Sequence, residues 1–287
     1  MTRPIPDANY AELIAEKVLL DDGIKTFPVD PFRIAENREI TVKAAPPTQP
    51  GVSGLLLRSG STFGILYATA IASVGFQRFS VAHELGHYFM PDHIDAVLGS
   101  KVMHESRSGA SPDRYEIEAD AFAAALLMPK GLFTSALRKA NDGLAGIEYL
   151  AGLCQTSMLA TANRYVDHSS IPVAVVVSVG GRVEYCKMSP AFKEFRGLDW
   201  PQRNTPIPKG SVTADMNGSV GRIAAAERDE MTGSLQDWFG GPYDLEITEE
   251  VKGLGTYGKT LTILTLDTFA DEVEDEAPSR WPAPRFR

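Results

Sequence analysis

An α+β fold in two parts is what this 287-residue sequence predicts. Segments with helical spacing of apolar residues fill most of residues 1–170, interrupted by one short hairpin signal. After Ser169-Ser170-Ile171-Pro172 the composition turns β-rich. The length accommodates two domains of roughly 100–200 residues. Lys+Arg number 28 and Asp+Glu 37, a formal charge of −9, which argues against a general binder of nucleic acid or anionic membrane. The two cysteines, Cys154 and Cys186, form no CxxC, so neither a disulfide framework nor a thiolate zinc site is expected. The opening MTRPIPDANY has no apolar signal region, and no apolar run reaches membrane-spanning length. A cytoplasmic location is therefore expected.

In chain order, residues 8–20 carry apolar side chains at helical spacing and stop at Asp21-Asp22-Gly23. Asp30-Pro31 reads as an N-cap followed by proline at the first helical position. Ile40 and Val42 begin a half-buried strand, and 44–51 (AAPPTQPG) is a proline-rich loop. Residues 54–58 and 62–69 read as strands around Ser59-Gly60-Ser61. The second of these is a candidate edge strand for pairing with an extended peptide. A helix opens at Gly75 and runs to about Met90, where Pro91 stops it. Residues 91–113, rich in Gly, Ser, Asp and Pro, read as a long loop acting as a lid. Residues 115–128 are a dense helix former ended by Pro129, and another helix follows over 130–140.

Residues 147–153 and 158–166 form a helix–turn–helix pattern around Cys154-Gln155-Thr156-Ser157. Met158–Val166 offers only Asn163 and Arg164 for reading bases, so the pattern argues against direct sequence-specific DNA binding. Beyond it, 172–179 and 182–187 read as a hairpin on Gly180-Gly181, with further strands at 245–251 and 259–266. Residues 190–196 and 224–239 read as helical in part. The organisation expected is a helical domain with a small sheet over 1–140, a helix–turn–helix-like segment over 141–170, a smaller α+β domain over 171–270 and a mobile tail over 271–287.

His83-Glu84-Leu85-Gly86-His87 is the string that carries chemistry. Residues i and i+4 lie about 40° apart around a helix, so both imidazoles can face one metal. Glu84, offset by about 100° from His83, falls beside that metal, where it can take a proton from water. A catalytic zinc site needs a third protein ligand. Two candidates compete. His93 has the spacing of HExxHxxGxxH, but Met90 stands where that motif needs glycine for the turn back. Glu116 shares one helix face with Asp120, so it can ligate while Asp120 orients an imidazole. Glu118, about 200° away from Glu116, is expected to be a solvated carboxylate. His93, His104, Arg107 and Tyr115 are candidate transition-state stabilisers.

FSVAHELGHYFMPDH followed by RYEIEADAFAAALLMP resembles the ImmA/IrrE family of zinc metallopeptidases, and HExxH…ExxxD resembles the wider gluzincin group. The resemblance implies a zincin-like N-terminal metallopeptidase domain holding one catalytic Zn²⁺. It implies His83, His87 and Glu116 as metal ligands, Glu84 as catalytic base and Asp120 as the residue behind a ligand. It further implies an endopeptidase whose substrate is a helix–turn–helix transcriptional repressor, cleaved to relieve repression in a stress or phage-related response. Some relatives add a GAF-like sensory domain. An activating ligand or single-stranded nucleic acid would then act at residues 171–270. The competing reading is a non-proteolytic regulatory protein of antitoxin or toxin type with a structural or vestigial metal site.

Overall fold

The computed structural model describes residues 5–45, 52–70, 72–99, 101–107 and 113–272, and shows mixed α+β architecture. The proline-rich stretch beyond Ala45 and nearly all of the expected tail lie outside the described residues. The chain divides into two units, one of residues 1–140 and 148–161, the other of 141–147 and 162–287. No helix among the described residues is long and apolar enough to cross a membrane.

In the first unit, α1 (Ala8–Asp21) starts at Asp7, whose side chain accepts from Tyr10 N, and ends before Gly23, at φ +66°. Helix α2 (Pro31–Glu36) is capped by Asp30, with proline in its first turn. Strands β1 (Thr41–Ala45), β2 (Val52–Ser59) and β3 (Thr62–Ala68) follow. Next come α3 (Val74–Phe89), α4 (His93–Val97), β4 (Met103–Arg107), α5 (Arg114–Leu127) and α6 (Lys130–Leu137). Helices α7 (Gly143–Cys154) and α8 (Met158–His168) complete the helical part, and the division between the units runs through both.

The four strands form one sheet in the order β1-β3-β2-β4. Strand β3 is parallel to β1 and antiparallel to β2, and β2 is antiparallel to β4. This corrects two expectations. The segment 62–69 is an interior strand, and β4 is the edge beside β2. The stretch 91–113 is not an unbroken loop, because it holds α4 and β4. Strand β4 (MHESR) lacks an apolar run and is held in the sheet by backbone pairing with β2. Helix α3 packs on the sheet and on α5, through a core that includes Leu56, Ile65, Leu85, Phe122 and Leu126, each 0% exposed. Each contributes about 1.5–3 kcal/mol of burial. Gly86 permits the helix crossing, since a Cβ there would stand 3.0 Å from the Ala119 Cα.

The second unit is built on a five-stranded antiparallel sheet. Its strands are β5 (Val173–Val179), β6 (Arg182–Met188), β7 (Arg228–Ser234), β8 (Glu246–Gly253) and β9 (Thr260–Thr265). Their order is β6-β5-β9-β8-β7. Short helices α9 (Val212–Asn217), α10 (Val220–Ala224) and α11 (Leu235–Phe239) accompany them. The β5–β6 turn places Gly180 and Gly181 at φ +56° and +75°, the left-handed pair a two-residue hairpin needs. Strand β5 is buried along all but its last residue, which explains its unbroken apolar run. The segment 224–239, expected to be partly helical, ends in α11 and also contains β7. Its charged, exposed residues show no apolar alternation because it is an edge strand, held by pairing with β8. On α8, Asn163 donates to the Tyr185 hydroxyl at 3.1 Å, so one of its two candidate base-reading side chains is engaged within this unit.

Candidate metal centre

Two helix starts set the site. Ser73 caps α3, its side chain accepting from Phe76 N. Asp113 caps α5, accepting from Tyr115 N at 2.8 Å and Glu116 N at 3.1 Å. The second cap places Glu116 in the first turn of α5. The α3–α5 packing then brings three donor groups together. His83 Nε2 lies 3.3 Å from Glu116 Oε2, and His87 Nε2 lies 3.3 Å from Glu116 Oε1. The two Nε2 atoms are 3.1 Å apart. A ligand atom from each of the three residues lies within 4.8 Å of the others, a cluster able to hold a metal ion.

Behind His83, Asp120 Oδ1 accepts from Nδ1 at 2.8 Å, which turns Nε2 toward Glu116 and His87. Burial disfavours the His83 imidazolium, but Asp120 and Glu116 outweigh it and push its pKa up to about 10. Burial pushes the His87 imidazole down to about 4. Burial also opposes ionisation of Glu116, yet hydrogen bonds with His104, His83 and His87 hold its carboxyl far below the usual range. The site is therefore built to keep a carboxylate charged beside two imidazoles.

Glu84 is 0% exposed, and neither carboxylate oxygen makes a hydrogen bond of good geometry among the described residues, the nearby buried Ser106 hydroxyl included. Burial pushes its carboxyl up to about 7. An orphaned buried carboxylate beside two imidazoles and a second carboxylate fits a divalent ion of nitrogen and oxygen preference with a water between them.

Gly54 on β2 adjoins the site, which the motif does not reveal. A Cβ there would stand 2.5 Å from Glu84 Oε1. The only signal for it in the sequence is a glycine inside a strand, which marks close approach of another group. Gly54→Ala is expected to displace Glu84 and lower kcat about 100-fold, the scale set by a misplacement of roughly 1 Å. Steady-state kinetics with metal analysis of the same sample checks this, and metal content should stay at the wild-type level.

Of the candidate stabilisers, His104 on β4 is brought to the cluster, with Nε2 3.0 Å from Glu116 Oε1. Tyr115 is half-buried, with Arg114 over its ring and His93 edge-on to it. Arg107 ends β4, and its side chain lies outside the described residues. His93 is fully buried on the Nδ1 side of His87, away from the Nε2 that meets Glu116. Glu118, expected to be solvated, is instead 0% exposed and bonded to His93. The expectation failed because α1 packs on α5 and covers the face of that helix turned away from the cluster.

A helix bearing two imidazoles, crossed by a helix bearing a carboxylate beside a small mixed sheet, is the class of arrangement found in metallopeptidase domains. Residues 35–165 match the family model Peptidase_M78, described as the IrrE N-terminal-like domain. The match agrees with the ImmA/IrrE resemblance of the motifs. A solved structure described as a Mycobacterium tuberculosis transcriptional regulator is similar in fold. It shares 16% identity, with 90% of this chain and 76% of that chain covered, and a TM-score of 0.57. No curated protein matches the chain.

Proposed function

We propose that this chain is a zinc-dependent endopeptidase that cleaves a partner protein, a helix–turn–helix transcriptional repressor, and so relieves repression in a stress or phage-related response. The observation that carries this reading is the convergence of His83, His87 and Glu116 beside the unpartnered carboxylate of Glu84. The peptidase family of residues 35–165 supports it. The repressor as substrate and the response it serves rest on the ImmA/IrrE resemblance.

His83, His87 and Glu116 would hold the ion. Bound there, zinc supplies a Lewis acid for the scissile carbonyl and lowers the pKa of water to about 7. Glu84 accepts the proton of the attacking water and delivers it to the leaving amine. Burial desolvates its carboxylate, which favours taking up the proton. Gly54 keeps the space that Glu84 occupies. Asp120 fixes the tautomer of His83. His104, whose Nε2 lies 3.0 Å from Glu116 Oε1, would donate to the developing oxyanion by exchanging that partner. Strand β4 is an edge among the described strands, and an extended substrate can add to it by backbone pairing. The five-stranded sheet of residues 171–270 supports the GAF-like sensory reading, with an activating small ligand or single-stranded nucleic acid as its input.

The test is incubation of the zinc-loaded protein with a small helix–turn–helix repressor encoded beside it, followed by mass spectrometry. Cleavage should occur with metal, stop with chelator and return when zinc is restored. An intact repressor after incubation with fully zinc-loaded protein would favour the non-proteolytic regulator.

A further inference from the structure

Glu118 and His93 are the buried ionisable pair that the catalytic reading above does not use. Both are 0% exposed, and His93 Nε2 lies 2.9 Å from Glu118 Oε2. The other oxygen, Oε1, accepts from the backbone N–H of Asp7, the N-cap of α1, at 2.9 Å. On its other side His93 Nδ1 lies 3.2 Å from His87 Nδ1. The donors and acceptors along this line can be assigned in one direction only. If His87 Nε2 ligates, its proton is on Nδ1, and His93 Nδ1 must accept it. The proton of a neutral His93 then sits on Nε2 and is donated to Glu118.

We infer that His93 and Glu118 are positioning residues for the metal ligand His87, forming a buried line of hydrogen bonds that fixes its tautomer and ring orientation from behind. Each ligating histidine then has its own carboxylate support. Asp120 serves His83 directly, and Glu118 serves His87 through a second imidazole. The two supports differ in setting. The Asp120 side chain is 57% exposed, whereas the His87 line is sealed from water along its length. Sealing matters because water cannot replace a lost partner there, and a buried N–H left without an acceptor is destabilised. The line also ties the ligand shell to the start of α1, since the amide that holds Glu118 precedes that helix. His93 was a candidate third ligand in the sequence. With Nδ1 on His87 and Nε2 on Glu118, neither ring nitrogen is left for the metal.

This inference rests on the metal reading of the site, and the experiment separates the two. Zinc dissociation constants are measured by competition with a chromophoric chelator. Co²⁺ absorption spectra are recorded for the wild type, Glu118→Gln, His93→Leu and His93→Asn. Melting temperatures of the metal-free proteins serve as the folding control. Glu118→Gln keeps an acceptor for the Asp7 amide. It should weaken zinc binding by about 10–100-fold, the usual effect of losing a partner behind a ligand, and shift the Co²⁺ bands. His93→Leu should weaken it by at least as much. His93→Asn should recover most of the affinity, because its Oδ1 falls where Nδ1 was. Wild-type affinity and unchanged Co²⁺ spectra in Glu118→Gln and His93→Leu would overturn the inference, whatever their melting temperatures. If His93→Leu does not fold, Glu118→Gln decides by the same criterion. A wild-type protein that takes up neither zinc nor Co²⁺ would overturn the metal reading, and this inference with it.

Discussion

Glu84→Gln is expected to lower peptide hydrolysis by about 100- to 10,000-fold while leaving zinc content at the wild-type level. Gln has the shape of Glu but cannot accept the proton of the attacking water. It leaves the His83, His87 and Glu116 cluster in place, because Glu84 makes no hydrogen bond to any of these residues. The fold should not suffer. A carboxyl whose pKa is raised by burial weakens the folded state once pH exceeds the ordinary carboxylate range, and does so fully above about 7. At pH 8 the metal-free variant should therefore melt at or above the wild-type temperature. The measurements are initial rates on the repressor substrate, metal analysis and melting curves on one preparation. Retained cleavage would remove Glu84 from the role of base.

Glu116→Ala is expected to abolish activity by a different route. It removes the carboxylate that meets both Nε2 atoms and His104, leaving three imidazoles around a partly buried gap. Zinc affinity should fall by more than about 100-fold, beyond what loss of an outer partner costs. Hydrolysis should fall in proportion to metal occupancy. Chelator competition followed by activity at graded zinc concentrations checks this. Recovery of activity at high zinc separates it from Glu84→Gln, which zinc cannot rescue. Undiminished zinc affinity in Glu116→Ala would mean that another residue completes the ligand set.

Much of the site was legible in the sequence because local geometry carries it. The turn of an α-helix makes His83 and His87 neighbours whatever surrounds them, and the same spacing puts Glu116 and Asp120 on one face. Caps and stops were readable for the same reason. Asp30-Pro31, Gly180-Gly181 and Pro91 act through the backbone within a few residues of themselves. The strands were legible only where burial left an apolar signature. Strand β5 is covered on both faces and announces itself. Strands β4 and β7 sit at sheet edges among the described strands, carry no apolar run and depend on a neighbour's backbone, so nothing within four or five residues betrays them.

Glu118 and Gly54 show the same limit at the level of function. From its own helix, Glu118 faces away from the cluster and reads as solvated. It is buried because α1, about a hundred residues earlier, lies across that face and supplies the Asp7 amide, while α4 brings His93 to its other oxygen. Gly54 matters because of where Glu84 ends up, which the sheet and α3 decide between them. The sequence by itself determined the pairs of groups that a single helix presents together, since a helix is a local solution to backbone hydrogen bonding. Only the tertiary structure decided which of those faces were covered, what stood behind each imidazole and where a side chain had room. These depend on contacts between residues far apart in the chain, which local spacing does not encode.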